Sequence, residues 1–461
     1  MTTCSALNDF SVTGRTTVPY PLCSTSDEAP EQMSASALAA GLRQGQISSS
    51  DLINACLDRI AAREPQVKAW AFLDAERARE YAKLADAWRA SGLPLGPLHG
   101  LPVGVKDVFD TADMPSEYGS ETLRGRRPSK DADAVSILRQ AGAIIIGKTA
   151  TSEFGMYHPS PTRNPLDLSR SPGVSSSGSA AAVADHMVPL GLGTQHTAST
   201  TLPASFCGAF AFKPSLGFTS MEGTNVLVPR LAHVGLLARS IMDLCLFAGA
   251  FDPALACILP AVRAPRLGFV KGPAWPAADD DARAAIEALF EALPTTIEPI
   301  DLPAEFSDAL DATIGLLNAH LAYRFGSAPD ETMRRYCLPL REGIEAGRSI
   351  SAERYLALDA LADRLVERAD QLFDEIDAII TLSTPGEAPR LEDGPGSGVM
   401  SMPWSLCGLP TVSLPLLTGR HGLPIGVQLI GRHGRDAGLL RIAGWLEAVA
   451  PRQTLTTKAE R

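Results

Sequence analysis

The chain has fewer basic than acidic residues, and few aromatic residues. Among its 461 residues, 41 Lys and Arg stand against 52 Asp and Glu, and aromatic side chains make up only 6%. Proteins that bind nucleic acid usually carry a basic face, because contacts to phosphate dominate that affinity. The densest basic cluster, Arg124, Arg126 and Arg127, is more typical of a solvated loop. We therefore predict no nucleic-acid partner.

Long apolar runs and paired cysteine motifs are also missing. Gly or Pro interrupts every apolar stretch before it reaches the length of a membrane span, and residues 1–17 do not resemble a signal peptide. The eight cysteines show no CxxC spacing, and most lie inside apolar runs, which predicts buried free thiols. These absences predict no membrane association and a reducing, cytoplasmic location.

The order of apolar and polar residues predicts an α/β fold. Residues 1–31 contain Pro, Ser and Thr without periodicity and predict an irregular N-terminal arm, whereas residues 32–461 predict one large domain. The domain is expected to open with a helix between Ser34 and Gly45, a second helix that ends at Pro65, and a third that ends at Gly92. From Leu101 onward, short apolar runs alternate with helical stretches, as in a sheet with helices on both faces. Residues 328–350 look less regular.

A lysine stands at the end of the first apolar run of this alternating region. In GPLHGLPVGVKDVFD, Lys106 follows the run Leu101–Val105 directly. Burying an ammonium group is costly and lowers its pKa, so a lysine that ends a buried strand is unusual. The simpler alternative is that Lys106 reaches the surface or pairs with Asp107, and the segment alone favours this alternative.

Two further segments are rich in small and polar residues. Residues 170–185, RSPGVSSSGSAAAVAD, begin like a flexible linker but pass directly into the strong helix former Ala180–Ala184. A Gly/Ser turn that enters a helix points backbone N–H groups and hydroxyls at one spot, where an anion could be held. In residues 188–217, a small and polar stretch from Gly193 to Thr201 follows a strand-like run and, taken alone, could be only a tight loop.

The three segments together resemble the signature region of the amidase signature family. The resemblance extends to LINACLDRIAAREPQVKAWAFLD, HVGLLARSIMDL and PWSLCGLPTVSLP, and it covers about residues 33–450. It implies a single three-layer α/β/α domain with a mixed, twisted central sheet. It also implies a Ser–cis-Ser–Lys triad, in which Lys106 is the base, Ser175 the bridging serine after a cis peptide bond, and Ser199 the nucleophile.

The chemistry of such a triad explains the residue types. A serine hydroxyl is a weak nucleophile until a neighbour takes its proton, and a lysine can do so only when it is neutral. In this scheme Ser175 passes the proton of Ser199 to Lys106 and later returns it to the leaving amine. Backbone N–H groups of the loop before the nucleophile would face the developing oxyanion; these belong to His196, Thr197 and Ala198. No metal or organic cofactor is required, and the eight histidines show no metal-ligand spacing.

The sequence departs from the family pattern close to the proposed nucleophile. Val174 replaces a glycine before the bridging serine, and Thr197 and Ala198 replace two glycines of the oxyanion loop. Gln195 and Thr201 stand where the family commonly has an Asp–Arg ion pair. Either the pocket is reshaped for an unusual substrate or the activity is weakened, and the intact triad positions favour reshaping.

The predicted reaction is hydrolysis of a small, mostly apolar amide, with aryl amides and carbamates (urethanes) as variants. Two alternatives remain: a weakened or non-catalytic subunit that keeps the fold, and amide transfer of the amidotransferase type. We predict substrate contacts, with core packing as the alternative, for Met156, Tyr157, Gln195 and Trp404. His196 is either a polar contact in the pocket or an ordinary loop residue. A homodimer is the default oligomeric state.

Overall fold

A computed structural model describes residues 29–256 and 263–451 of the chain. Within these ranges the strands are β1 (Trp70–Leu73), β2 (Pro102–Lys106), β3 (Ile144–Thr149), β4 (Leu190–Gln195), β5 (Phe210–Lys213), β6 (His233–Ala238), β7 (Leu267–Phe269), β8 (Ile297–Pro299), β9 (Ala378–Leu382), β10 (Thr411–Thr418) and β11 (Pro424–Ile430). The helices are α1 (Ala35–Gln44), α2 (Ser49–Val67), α3 (Ala75–Ala90), α4 (Asp133–Gln140), α5 (Ser177–Ala184), α6 (Thr201–Cys207), α7 (Ile241–Ala248), α8 (Asp280–Ala292), α9 (Ala309–Phe325), α10 (Asp330–Arg335), α11 (Leu338–Arg348), α12 (Ala352–Gln371), α13 (Met402–Leu406) and α14 (Asp436–Val449).

All these strands form one mixed sheet in the order β1-β3-β2-β4-β6-β5-β10-β11-β9-β7-β8. Strands β3, β2 and β4 run parallel to one another, as do β9, β7 and β8. The strands between these two groups pair antiparallel. The predicted α/β fold with a mixed central sheet is confirmed.

Apolar cores lie on both faces of the sheet. Successive side chains of a strand point to opposite faces, and β3 shows the result directly. Ile144 and Ile146 join one apolar cluster with residues of α2, α3 and α5, whereas Ile145 joins a larger cluster with residues of α4 and α7. Helices therefore cover both faces, which gives the three layers that the sequence predicts.

The first helices begin and end close to the predicted residues. Ser34 accepts a hydrogen bond from the Ala37 N–H at 3.2 Å and caps α1, and Gly45 ends it with a left-handed backbone (φ 72°). The prediction that Pro65 ends the second helix is wrong, because α2 continues to Val67 and stops at Lys68, where φ is 54°. A proline in the last turn removes only one helical hydrogen bond, which the helix tolerates.

Residues 328–350 are more regular than predicted. They form α10 and α11, and α11 packs against α9. A proline in the first turn of α11 starts that helix, as prolines commonly do. Of the N-terminal arm, residues 1–28 lie outside the described residues, and Pro30–Gln32 form a 3-10 turn. Every helix in the described ranges is too short or too polar to cross a membrane.

The cysteine prediction is confirmed where the structure describes it. Cys56, Cys207 and Cys407 are buried free thiols, and Cys337 is a free thiol that is partly buried. Cys245 is buried as well. The other three cysteines lie outside the described residues.

Candidate active site

The site lies at the carboxyl ends of two neighbouring parallel strands. Strands β2 and β4 pair in parallel, with Val105 opposite Leu192, so the last residues of both reach the same edge of the sheet. Such edges are the usual place for ligand sites in α/β proteins. Lys106 ends β2, and its Nζ donates a hydrogen bond to Thr194 Oγ1 of β4 at 2.9 Å.

Lys106 is fully buried and has no carboxylate partner among the described residues. Its Nζ also donates to Ser175 Oγ at 2.7 Å, and burial lowers the pKa of the ammonium from 10.5 to about 7. Asp107 bonds instead to Lys148, whose Nζ lies 2.9 Å from its Oδ1. The alternative in which Lys106 reaches the surface or pairs with Asp107 is therefore wrong.

Ser175 lies in the turn that leads into α5. The peptide bond between Val174 and Ser175 is cis, as the family resemblance implies. The next residue fixes the turn against β4, because Ser176 Oγ donates to the Thr194 carbonyl at 3.1 Å. The Ser176 N–H donates to the Ser199 carbonyl at 3.2 Å, which joins the turn to the loop that carries the third predicted residue.

Ser199 is partly buried and lies in the short loop between β4 and α6. In the described part of the chain its hydroxyl makes no hydrogen bond with Ser175, and the bond from the Ser176 N–H to the Ser199 carbonyl is what links the two segments. Hydrogen bonds between catalytic groups are often long in unliganded enzymes and shorten when substrate binds. Over the same residues, the N–H groups of Thr197, Ala198 and Ser199 have no hydrogen-bond acceptor. They are available to an incoming oxygen.

Gln195 holds this loop in place. Its Oε1 accepts hydrogen bonds from the N–H groups of Thr200 and Thr201, both at 3.0 Å, and its Nε2 donates to Ser405 Oγ at 3.0 Å and to the Thr197 carbonyl at 3.2 Å. The side chain is fully buried. Because both ends of the amide are used by the protein, we assign Gln195 a positioning role in place of the predicted substrate contact.

Two of the three residues that replace glycine share an apolar environment. Val174 and Ala198 belong to one buried apolar cluster with Leu202, Phe206 and Ala388. Among the described residues, left-handed backbone at non-glycine positions occurs only at Lys68, Tyr118, Phe154 and His186. The loop therefore accepts threonine and alanine without the strain that a positive φ would bring.

His196 stays uncharged in this structure. Its Nε2 accepts a hydrogen bond from the Leu227 N–H at 3.1 Å, which leaves the ring proton on Nδ1. Burial, together with the positive charges of Lys106 and Arg324 and with His320, lowers the pKa of its imidazole to about 3. A neutral ring that accepts from the backbone supports the interpretation of His196 as a loop residue over that of a proton donor.

The remaining predicted substrate contacts differ in exposure. Met156 and Trp404 are buried in the main core at 6% and 3% exposure, and Trp404 packs against Phe306 with 6.1 Å between ring centroids. Tyr157 is 45% exposed. The packing of Met156 and Trp404 favours the core alternative, whereas Tyr157 remains accessible to a ligand.

Thr194 and Ser405 also belong to the site, although no motif in the sequence indicates them. Thr194 is the first polar residue of the apolar strand β4 and lies beside Lys106 in the structure. A polar residue at the end of an apolar strand is the sequence feature that could have indicated it. Ser405 lies about 200 residues away in sequence, and no local pattern indicates its bond to Gln195. Among the described residues, no group of three or more His, Cys, Asp or Glu side chains could hold a metal ion.

Comparison with known proteins places the chain among the amidases. Residues 51–253 and 262–440 match the family model described as Amidase. A glutamyl-tRNA(Gln) amidotransferase subunit of Chloroflexus aggregans (strain MD-66 / DSM 9485) is 33% identical over 464 residues, which cover 89% of this chain and 95% of that protein. The corresponding subunit of Roseiflexus castenholzii (strain DSM 13941 / HLO8) is 35% identical over 457 residues, which cover 87% and 92%.

Solved structures give the same result. A crystal structure described as that of an amidase superposes with a TM-score of 0.84 at 31% identity and covers 91% of this chain and 100% of that one. Native peptide amidase from Stenotrophomonas maltophilia superposes with a TM-score of 0.79 at 26% identity and covers 93% and 99%. The chain belongs to the amidase signature family.

Proposed function

We propose that this protein hydrolyses the C–N bond of a small, mostly apolar amide through an acyl-enzyme on Ser199. The observation that supports this most is the hydrogen bond of 2.7 Å from Lys106 Nζ to Ser175 Oγ. A lysine with a pKa near 7 and no acidic partner in the described ranges is suited to act as a base, because a large fraction is neutral at physiological pH.

In the proposed mechanism each proton transfer has a named donor and acceptor. Neutral Lys106 takes the proton of Ser175, which takes the proton of Ser199 as the Ser199 Oγ attacks the amide carbon. The N–H groups of residues 197–199 stabilise the oxyanion, and the C–N bond breaks as the proton returns through Ser175 to the leaving amine. Water then attacks the acyl-enzyme by the same route, which releases the acid and frees Ser199.

The apolar surroundings of the loop support an apolar acyl group. Val174 and Ala198, two of the three residues that replace glycine, lie in one buried cluster with aliphatic and aromatic side chains. Their place in a packed apolar cluster supports a reshaped pocket over a weakened one. The same tetrahedral chemistry would serve carbamates and aryl amides, so both classes belong in a substrate survey.

A second candidate function is amide transfer. The relatives of 33% and 35% identity are both subunits of glutamyl-tRNA(Gln) amidotransferases, which favours this alternative. In such a reaction, ammonia released from an amide passes to an acceptor on another subunit. The two functions share the acyl-enzyme and differ in the fate of the released amine. Hydrolysis releases it into solution, whereas amide transfer passes it to an acceptor.

The test is to assay small amides, esters and carbamates with the wild type and with Ser199→Ala. We expect Ser199→Ala to abolish turnover and labelling by a fluorophosphonate probe while the circular dichroism spectrum is unchanged. Ser349→Ala is the matched control, since this exposed serine donates only to the Ala346 carbonyl at the end of α11. Normal turnover or probe labelling in Ser199→Ala would contradict the proposed mechanism.

A further inference from the structure

Helix α9 presents an arginine beside the candidate active site. Arg324, in its last turn, donates through Nη2 to Asn225 Oδ1 at 2.7 Å and through Nη1 to the Val226 carbonyl. The residue as a whole is exposed, and its guanidinium is fixed by these two bonds, with Cζ 5.3 Å from the centroid of the Phe325 ring.

Two short paths connect this guanidinium to the serines. Asn225 Nδ2 donates to the Phe154 carbonyl at 2.9 Å, and the next residue is Gly155, where an added Cβ would lie 3.6 Å from Ser175 Oγ. On the other side, the Leu227 N–H donates to His196 at 3.1 Å, three residues before Ser199. Arg324 is therefore connected through residues 225–227 to the segments that border both serines.

The guanidinium has no anionic partner in the described part of the chain. Two of its five N–H groups are used, both by neutral oxygens, and no carboxylate forms an ion pair with it. Three acids of the surrounding region already have partners: Asp110 pairs with Arg126 at 2.6 Å, Asp359 pairs with Arg230 at 2.9 Å, and Glu153 accepts from Ser120 Oγ and the Cys337 N–H.

The ionisable groups that act on His196 from the neighbouring elements are Lys106, Arg324 and His320. All three are basic, and no carboxylate contributes to the shift of the His196 pKa. A ligand with one negative charge would supply the missing counter-charge.

We propose that Arg324 is a specificity-determining residue that binds a carboxylate on the substrate, at the end away from the scissile amide. A planar guanidinium with several unused N–H groups matches the two oxygens of a carboxylate in a bidentate pair. One fixed cation suits a singly charged carboxylate better than a doubly charged phosphate. The substrate class is then a mostly apolar amide that carries one remote carboxylate, and this assignment depends on the proposed amide hydrolysis.

The test compares paired substrates of equal shape, each an amide with a remote carboxylate and its neutral methyl ester or carboxamide counterpart. For the wild type we expect kcat/KM to be at least tenfold higher for the acid than for its neutral counterpart. In Arg324→Gln this ratio should fall toward one, mainly through a higher KM for the acid. Arg324→Lys should recover only part of the ratio, because lysine keeps the charge and loses the bidentate geometry. Arg79→Gln is the matched control, since Arg79 is exposed on α3 and donates to Asn54.

The outcomes separate this inference from the proposed function. If the wild type hydrolyses neutral amides without preferring the acids, or if Arg324→Gln keeps the preference, the carboxylate assignment is overturned and the hydrolysis stands. If neither member of any pair is hydrolysed, the proposed function itself fails. High salt, about 0.5 M, should remove the preference of the wild type for acids, because salt screens an ionic contact between Arg324 and the substrate carboxylate. Arg324→Gln should lack this preference at any salt concentration.

Discussion

Lys106 is fully buried but makes few hydrogen bonds. Its ammonium has no exposed surface, and two hydroxyl oxygens, Ser175 Oγ and Thr194 Oγ1, are its hydrogen-bond partners within the described ranges. Lys148, one strand away, is equally buried but has a carboxylate, a hydroxyl and two carbonyls around its Nζ. Burial lowers the pKa of both lysines, but only at Lys148 does a carboxylate, Asp107, oppose the shift.

This environment predicts the pH dependence of the reaction. Burial lowers the pKa of Lys106 to about 7, and only the neutral amine can accept a proton, so kcat/KM should rise with pH and level off above about 8. The measurement is kcat/KM between pH 5 and 10 on a neutral amide whose own charge is constant. A flat profile over that range would exclude Lys106 as the base.

The control for this prediction needs no substrate. Between pH 7 and 10.5 the unfolded chain holds a proton on Lys106 that the folded chain has lost, so the stability of the wild type should rise with pH across this window. Lys106→Met removes the buried ammonium, which should increase the free energy of unfolding at pH 7 by a few kcal/mol. The loss of the two hydrogen bonds of Lys106 offsets part of this gain. The advantage should shrink toward pH 10. A stability difference between the two proteins that stays constant from pH 7 to pH 10 would contradict the lowered pKa.

At the scale of elements, the oxyanion loop and the segment before α13 fit together through a glycine. A Cβ added to Gly398 would lie 2.4 Å from the Cβ of Ala198, far inside any normal contact. The methyl group of Ala198 therefore requires residue 398 to have no side chain. The loop between β4 and α6 and the segment that precedes α13 are complementary at this point.

A double-mutant cycle tests this complementarity. Gly398→Ala alone should destabilise the fold by about 1–3 kcal/mol and reduce kcat, because the loop must move to relieve the overlap. Ala198→Gly in the same chain should recover most of both losses, which gives a coupling energy between the two sites. Gly438→Ala is the control, since nothing lies within 4 Å of an added Cβ at that exposed position of α14. Simple additivity of the two substitutions would contradict direct contact.

The elements also show what the sequence can and cannot predict. Local signals located α1 well, because Ser34 and Gly45 act through bonds to their own neighbours. The strands β5 and β6 show no alternation of apolar and polar residues, because nearly all their residues are buried, and the pairing of β5 with β10 joins segments about 200 residues apart. Similarly, the motif resemblance indicated Lys106, Ser175 and Ser199, whereas the bonds of Gln195 to Ser405 and of Arg324 to Asn225 depend on tertiary packing.

At the scale of the whole molecule, the site is assembled within a single continuous sheet. Lys106 and Thr194 come from adjacent strands, Ser175 from the turn before α5, and Ser199 from the loop after β4. Residues near the C-terminus complete it, since Ser405 and Gly398 contact the oxyanion loop. Every group that the proposed hydrolysis uses therefore lies within the described residues of this chain.

This self-sufficiency predicts that the isolated chain is active. The purified protein should release acid and amine in equal amounts from a substrate amide, and the activity should coelute with the chain alone in size-exclusion chromatography. Added hydroxylamine should compete with water for the acyl-enzyme and yield a hydroxamate, which Ser199→Ala should not form. Because transfer of ammonia to an acceptor needs a site that another subunit provides, an amidotransferase component would instead show turnover only after coexpression with its partners. Activity that is absent from the isolated chain and appears with partner subunits would favour amide transfer over hydrolysis.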